Sequence, residues 1–328
     1  MTVNGVDIDR LLTRALASKL SLSRKELSLL LACDDEGVWR QVFAAAGEVK
    51  RRSGKTETLR RALIECSNVC VRDCFYCGIR RSSRDVPRYR MNIEEIGECV
   101  GKARSLGFNA LALQAGEIES EENTRFYEAV LGLCGGMEVT LSLGEQTESV
   151  YRRWKAAGAM RYLLRIETSN RRLFAELHPA DASYDRRVEC IRSLKRAGYV
   201  TGTGVMMALP GQTAEDLADD MAFFGENGVD MVGMGPWIPH RSTPLGDAYW
   251  PGPERSLALA LRMVALTRLY LHDINIVAAS ALVALGGGEA IERALDAGAN
   301  VVMPNFTPAL RRSGYDLYPG KTEVQPIG

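Results

Sequence analysis

Apolar residues fall in short dense runs along this chain, and most runs are entered just after a glycine. Leu106-Gly107-Phe108 leads into Leu111-Ala112-Leu113, and Ala157-Gly158-Ala159 into Tyr162-Leu163-Leu164. The arrangement recurs at Ala197-Gly198-Tyr199, Asn227-Gly228-Val229 and Ala297-Gly298-Ala299. Glycine suits the left-handed position just past a helix C-terminus, and an unbroken apolar run suits a strand buried on both faces. The units repeat at about 30 to 50 residues, the length of a βα unit. The runs predict eight strands: Ala62–Ser67, Ala110–Gln114, Val139–Leu143, Tyr162–Ile166, Val200–Met206, Asp230–Met234, Asn275–Ala279 and Asn300–Met303. Eight such units predict an α/β fold, a complete (β/α)8 TIM barrel over residues 56–309. Before it, Ile8–Lys50 reads as helical. Leu11, Leu12, Ala15 and Leu20 recur at helical intervals, and Ser23 with Glu26 resembles a capping box. Residues 1–55 are therefore expected to form a helical extension on the bottom or flank of the barrel. The irregular segment 310–328 is expected to fold as a tail over the barrel mouth.

Charge adds exclusions rather than assignments. Lys plus Arg and Asp plus Glu each number 41 among 328 residues, so the formal net charge is zero. That balance gives no reason to expect a nucleic-acid partner or an anionic membrane surface. Met1–Leu20 lacks the long apolar run of a signal peptide. Leu257–Leu271 comes nearest to the roughly 20 apolar residues of a membrane span, but Arg262 and Arg268 interrupt it. A soluble, cytoplasmic chain is expected.

The candidate chemistry begins with cysteine. Cys70, Cys74 and Cys77 have the spacing Cys-x3-Cys-x2-Cys, with no fourth cysteine or histidine close behind. A structural zinc site is normally closed by four ligands, whereas iron–sulfur clusters are held by thiolates. Three thiolates would leave one iron of a 4Fe-4S cluster open to a small molecule. A zinc knuckle with a remote fourth ligand, or plain buried thiols, are the alternatives. The other five cysteines (Cys33, Cys66, Cys99, Cys134, Cys190) lack ligand spacing and read as small buried hydrophobes. Barrel active sites lie at the C-terminal ends of strands. There the chain offers Gln114-Ala115-Gly116-Glu117, then Thr140, Ser142 and Glu145, then Arg165-Ile166-Glu167-Thr168-Ser169. Strand alternation puts Arg165 and Glu167 on one face, as a structural ion pair or a ligand clamp.

The cysteine loop, with Tyr76 before its last cysteine, resembles that of the radical S-adenosylmethionine (SAM) enzymes. Several stretches are similar to the HydE family of FeFe-hydrogenase maturases, within the biotin synthase-like group. They are Cys66–Arg81, Arg88–Met91, Thr140–Glu145, Tyr162–Asn170, Leu209–Thr213, Asp230–His240, Val302–Asn305 and Tyr315–Lys321, spanning roughly residues 60 to 321. The 3-methylornithine synthases share the loop. The resemblance implies a single 4Fe-4S cluster on Cys70, Cys74 and Cys77, the catalytic metal ligands, with SAM chelated to the open iron. It places Tyr76 beside the adenine and Ala115, Gly116 and Glu117 at the methionyl amino group. Ser142 also falls on the cofactor side, Glu167 at the ribose, and Arg187 (or the adjacent Arg186) at the SAM carboxylate. The substrate would lie near Thr140, Arg165, Met231, Met303, Tyr315 and Tyr318.

The implied function is assembly of the FeFe-hydrogenase di-iron cofactor. In it a 5′-deoxyadenosyl radical adds to the sulfur of a cysteine-bound Fe(CO)2(CN) precursor. Rival readings keep the radical chemistry on another amino-acid-derived substrate, by a mutase or a thiazolidine-processing enzyme, or make the chain a non-catalytic iron–sulfur carrier. Partner maturases and an electron donor such as a ferredoxin or flavodoxin are implied as well. Two departures stand out. No cysteine follows Cys190, so a second cluster on a C-terminal cysteine trio is not expected. Ala115 also stands where some members carry serine.

Overall fold

The computed structural model describes residues 2–3 and 5–321; the rest of the expected tail, 322–328, lies outside them. Three helices open the chain: α1 (Ile8–Ala17), α2 (Arg24–Leu31) and α3 (Glu36–Arg52). The capping box is present at α2. Ser23 Oγ accepts from Glu26 N, and Glu26 Oε2 accepts from Ser23 N, so two otherwise orphaned donors are satisfied together.

Seven parallel strands follow in one curled sheet: β1 (Ala62–Ser67), β2 (Ala110–Ala115), β3 (Glu138–Ser142), β4 (Ala159–Leu163), β5 (Val200–Thr203), β6 (Met231–Val232) and β7 (Asn275–Ile276). Their spatial order is β7-β6-β5-β4-β3-β2-β1, the chain order reversed, as successive βα units laid side by side require. The eighth predicted strand forms as β8 (Val301–Val302) and pairs not with that sheet but with Leu59–Arg60, just before β1. Single parallel bridges link Val277 to Val301 and Leu63 to Asn305.

Several strands end sooner than the apolar pattern predicts. The fourth begins directly after Gly158, at Ala159 rather than Tyr162, and stops at Leu163. Beyond it the chain keeps single hydrogen bonds to its neighbour, Leu164 N to Gly202 O and Glu167 N to Gly204 O, while it turns toward the barrel mouth. The fifth predicted strand breaks in two and the sixth shortens to Met231–Val232, with Met206–Met207 pairing separately with Gly235–Pro236 just past the sixth. An apolar run marks burial, and burial continues through these bends where the ladder does not.

The two faces of β1 separate the layers. Cys66 turns outward toward Cys99, Cys134 and Tyr127 of the helical layer. Glu65, its neighbour, therefore faces inward. Two of the N-terminal helices pack on the outer helical layer, α2 on the helix Ala214–Glu226 and α3 on the helix Pro253–Leu271. His272 Nε2 lies 2.8 Å from Ala15 O, and Leu20 N donates to Tyr270 O at 2.7 Å. The tail reaches the other end. Asn68 Nδ2 donates to Gly314 O, Gly78 N to Leu317 O, and Tyr315 is buried. Among the described residues no helix is long and apolar enough to cross a membrane.

Candidate active site

The cysteine loop leaves the C-terminal end of β1 and is fastened on three sides. Gly116 N donates to Ser67 O at 2.9 Å and Val71 N to Glu117 O at 2.9 Å, joining it to the end of β2. Phe75 N donates to Leu177 O on the helix after β4, and Gly78 N to Leu317 O of the tail. Cys70 Sγ accepts two backbone N–H groups, from Arg72 at 3.4 Å and Glu117 at 3.3 Å. Asp73 braces the loop through Arg80 and Ser82; although burial opposes its charge, those hydrogen bonds hold its carboxyl near about 2.

All three loop thiols are free and keep a partly open face. Burial among protein atoms pushes them up, Cys74 to about 12, with Arg187 pulling the other way. Left to themselves they are neutral thiols at pH 7. Only a bound metal would make them thiolates. Among the described residues no three His, Cys, Asp or Glu side chains gather round a point where one ion could sit. Three sulfurs on a loop, spread apart and without a fourth ligand, fit a cluster with a metal at each corner better than a lone zinc ion.

Beside the loop lies a lattice of carboxylates and guanidiniums. Glu145, at the end of β3, accepts from Arg72 Nη2 at 3.1 Å and from Arg187 Nε at 2.6 Å, and its Oε2 lies 3.0 Å from Arg186 Nε. Glu117 pairs with Arg72 and accepts from Glu145 N at 2.8 Å. Burial raises the Glu117 carboxyl and Arg72 offsets it. Gly144 makes the lattice possible. Its φ is +77°, and a Cβ there would meet Glu117 Oε2 at 2.3 Å. Arg187 is buried and also donates to Arg165 O at 2.6 Å, whereas Arg186 is half exposed. Both guanidiniums thus reach the same carboxylate from one helix turn. Arg186 is paired a second time, its Nη2 donating to Glu119 Oε2 at 2.7 Å.

Across the mouth, Glu167 stands on strained backbone with φ of 70°. Its Oε2 is 2.9 Å from Arg165 Nη2 but not aligned for a hydrogen bond, so this buried oxygen and the buried Arg165 Nε have no hydrogen-bond partner. An acceptor and a donor left open at a strand end fit a polar ligand such as a ribose. Tyr76 is packed against His178, edge to face at 5.5 Å, with its hydroxyl 3.5 Å from Nε2. Burial, with Arg187 nearby, lowers His178 to about 3, so the ring is neutral. Its Nδ1–H is assigned to Phe174 O at 2.8 Å, leaving Nε2 to accept from Tyr76.

The expected substrate residues do not all converge. Tyr315 is buried and Tyr318 Oη lies 2.8 Å from Ser280 Oγ; both face the carboxylate of Glu65. Met231 packs against Gly202, Met303 is half-buried and Ser142 half-exposed toward the mouth. Thr140 sits deeper, 3.5 Å from Arg61 Nη1; Arg61, with Arg60, Glu138 and Arg161, lines a cavity of about 830 Å³ under the strands. Ala115 ends β2 beside Gly116. Sequence reasoning passed over Arg72, whose only signal was its place inside the cysteine spacing. It passed over Glu65 and Lys321 as well, since partners 256 residues apart leave no local pattern.

The radical SAM superfamily model matches residues 64–224, a span holding the cysteine loop and the strand ends just described. Over 301 residues the chain is 44% identical to the [FeFe] hydrogenase maturase subunit HydE of Thermotoga maritima, covering 91% of this chain and 84% of that protein. The chain belongs to the HydE family of radical SAM enzymes. Members of this family use a 4Fe-4S cluster and SAM, and the loop Cys70–Cys77 supplies the donor set described above. The 3-methylornithine synthase of Methanosarcina acetivorans is more distant, 26% identical with 90% of this chain and 83% of that one covered. Among solved structures, a methylornithine synthase (PylB) superposes with a TM-score of 0.80 at 23% identity, over 97% of this chain and 88% of its own. The maturase HydG from Carboxydothermus hydrogenoformans gives 0.76 at 19%, over 90% and 70%. At such identities these likenesses speak for the fold.

Proposed function

We propose that this enzyme acts in FeFe-hydrogenase maturation, on a cysteine-bound Fe(CO)2(CN) precursor of the di-iron cofactor. The observation that carries the reading is the 44% identity to a HydE maturase over nearly the whole chain. The bound cluster would supply the electron that cleaves SAM, and the 5′-deoxyadenosyl radical would add to the precursor's cysteine sulfur. Cys70, Cys74 and Cys77 would hold the cluster, with Tyr76 beside the adenine. Gly116 and Glu117 at the end of β2 fix the cysteine loop through backbone hydrogen bonds and would hold the methionyl amino group. Glu167 would offer the ribose its Oε2, which is ion-paired with Arg165 but accepts no hydrogen bond. Arg187, buried beside the loop, is assigned to the SAM carboxylate, with the adjacent Arg186, itself paired with Glu119 and Glu145, as the alternative. Guanidinium and carboxylate pair in two-pronged fashion.

The substrate lies deeper, bounded by Arg165, Met231, Met303, Tyr315 and Tyr318, with Thr140 below. Burial there excludes water from reactive species. We read residues 56–309 as one complete (β/α)8 barrel, supported by the Val277–Val301 and Leu63–Asn305 bridges on either side of β8. Residues 1–55 and 310–328 are its appendages. Partner maturases and a ferredoxin or flavodoxin would supply precursor and electrons. In vitro maturation tests the reading: apo-hydrogenase mixed with the other maturases should gain hydrogen-evolving activity only when this protein is added. Equal activity without it would contradict the reading.

A further inference from the structure

One charged group inside the barrel is not used by any part of this scheme. Glu65 is the inward-facing carboxylate of β1 and is wholly buried. Its Oε1 accepts from Lys321 Nζ at 2.5 Å and its Oε2 from Asn305 Nδ2 at 2.9 Å. Lys321 is itself only 5% exposed, although it lies in the irregular tail. The tail thus brings an ammonium group back into the barrel, 5.9 Å over the ring of Tyr315. Burying an ion pair costs several kcal/mol per ion before any attraction is counted, so stability alone is a weak reason for one here. An ammonium has three donors. Among the described residues Glu65 takes one of Lys321's, and the other two have no partner. Tyr315 lies beside the ammonium, while Tyr318 and Asn305 flank Glu65, and the two tyrosines are among the residues proposed above to bound the substrate space.

We propose that Lys321, oriented by Glu65, is the carboxylate-binding residue of the substrate site. The two N–H donors that have no partner among the described residues would take the α-carboxylate of an amino-acid-derived ligand, while Glu65 holds the ammonium in place. Met231 and Met303 offer no donor to a carboxylate. Arg165 is 33% exposed and is drawn to Glu167 and Val205 O. The inference rests on the reading that an amino-acid-derived substrate enters the barrel, and it assigns one residue to one end of it.

The test is a binding titration that needs no turnover. Cluster-reconstituted protein with SAM bound is titrated with L-cysteine and with L-cysteinamide, in which an amide replaces the carboxylate. Wild type should bind the acid more tightly by roughly tenfold to a hundredfold, the worth of hydrogen bonds to a charged group. Lys321→Met should remove that discrimination and Lys321→Arg should keep most of it. If Lys321→Met unfolds because Glu65 is left unpaired, the double variant Glu65→Gln/Lys321→Met removes both charges and should also lose it. Equal binding of acid and amide to wild type, no binding of either, or discrimination that survives in the double variant overturns the proposal. Discrimination without hydrogenase maturation would instead sink the functional reading and leave the carboxylate site standing.

Discussion

Gly116→Ala is the sharpest mechanical test of how the barrel holds the cysteine loop. A Cβ at this position would lie 2.3 Å from Val69 O, 2.7 Å from Val69 C and 2.8 Å from Cys70 Cβ. Carbon atoms in contact prefer about 3.5–4.0 Å, so close to an ångström must be found. None of the three atoms is the end of a flexible side chain. Moving them breaks the register of Gly116 N on Ser67 O, Val71 N on Glu117 O and Glu117 N on Cys70 Sγ. Overpacking of this kind costs about 1–3 kcal/mol, and here it falls on the ligand loop. That corresponds to roughly a tenfold to hundredfold loss in cluster affinity. The assay is iron and sulfide per chain after anaerobic reconstitution, with the electron paramagnetic resonance spectrum of the reduced protein. Gly101→Ala is the control, because its Cβ would meet nothing within 4 Å and it lies in the helix Ile93–Ser105. That change should leave iron content intact and stabilise the helix by about 1 kcal/mol. Full iron and an unchanged spectrum in Gly116→Ala would refute the reasoning.

Cys66→Ala should keep iron content and spectrum unchanged, because Cys66 faces the helical layer; loss of iron would mean it reaches the cluster. Burial raises the Asp220 carboxyl to about 7 against an ordinary 3.8, so the folded state binds its proton more tightly than the unfolded one. Its contribution therefore falls as pH rises from about 4 to 7. Asp220→Asn keeps an acceptor for Ser169 N and Oγ, so melting curves should show it gaining on wild type across that window; a constant difference would contradict this. Arg268 is wholly buried and donates to Gly298 O, Ile274 O, His272 O and Asn300 Oδ1. Arg268→Met strands those acceptors and should cost about 3–5 kcal/mol in urea unfolding, whereas a loss under 1 kcal/mol would mean water replaces the guanidinium.

Much of the architecture was legible because it depends on local signals. The short apolar runs located seven parallel strands, four of them entered just after a glycine, and the Ser23–Glu26 box formed as its spacing suggested. The ends of β4 to β7 were not legible. Burial carries the apolar pattern past the point where Glu167 takes up positive φ and the chain bends. The cysteine loop announced itself through spacing, but the groups that fix it did not. Glu117 and Glu145 read as ligand-facing carboxylates, yet both are engaged by arginines and Glu117 also accepts from the backbone N–H of Glu145, a matter of three-dimensional pairing that strand alternation cannot reveal. The Glu65–Lys321 pair was silent for the same reason. A lysine in an irregular tail reads as solvated until the tail is seen to turn inward.

If Cys70, Cys74 and Cys77 hold a cluster that cleaves SAM, anaerobically reconstituted, chemically reduced protein releases 5′-deoxyadenosine from SAM. Wild type is expected to release it, and Cys74→Ala to lose cluster and cleavage together. A verified cluster with no 5′-deoxyadenosine, or cleavage that survives Cys74→Ala, would contradict it.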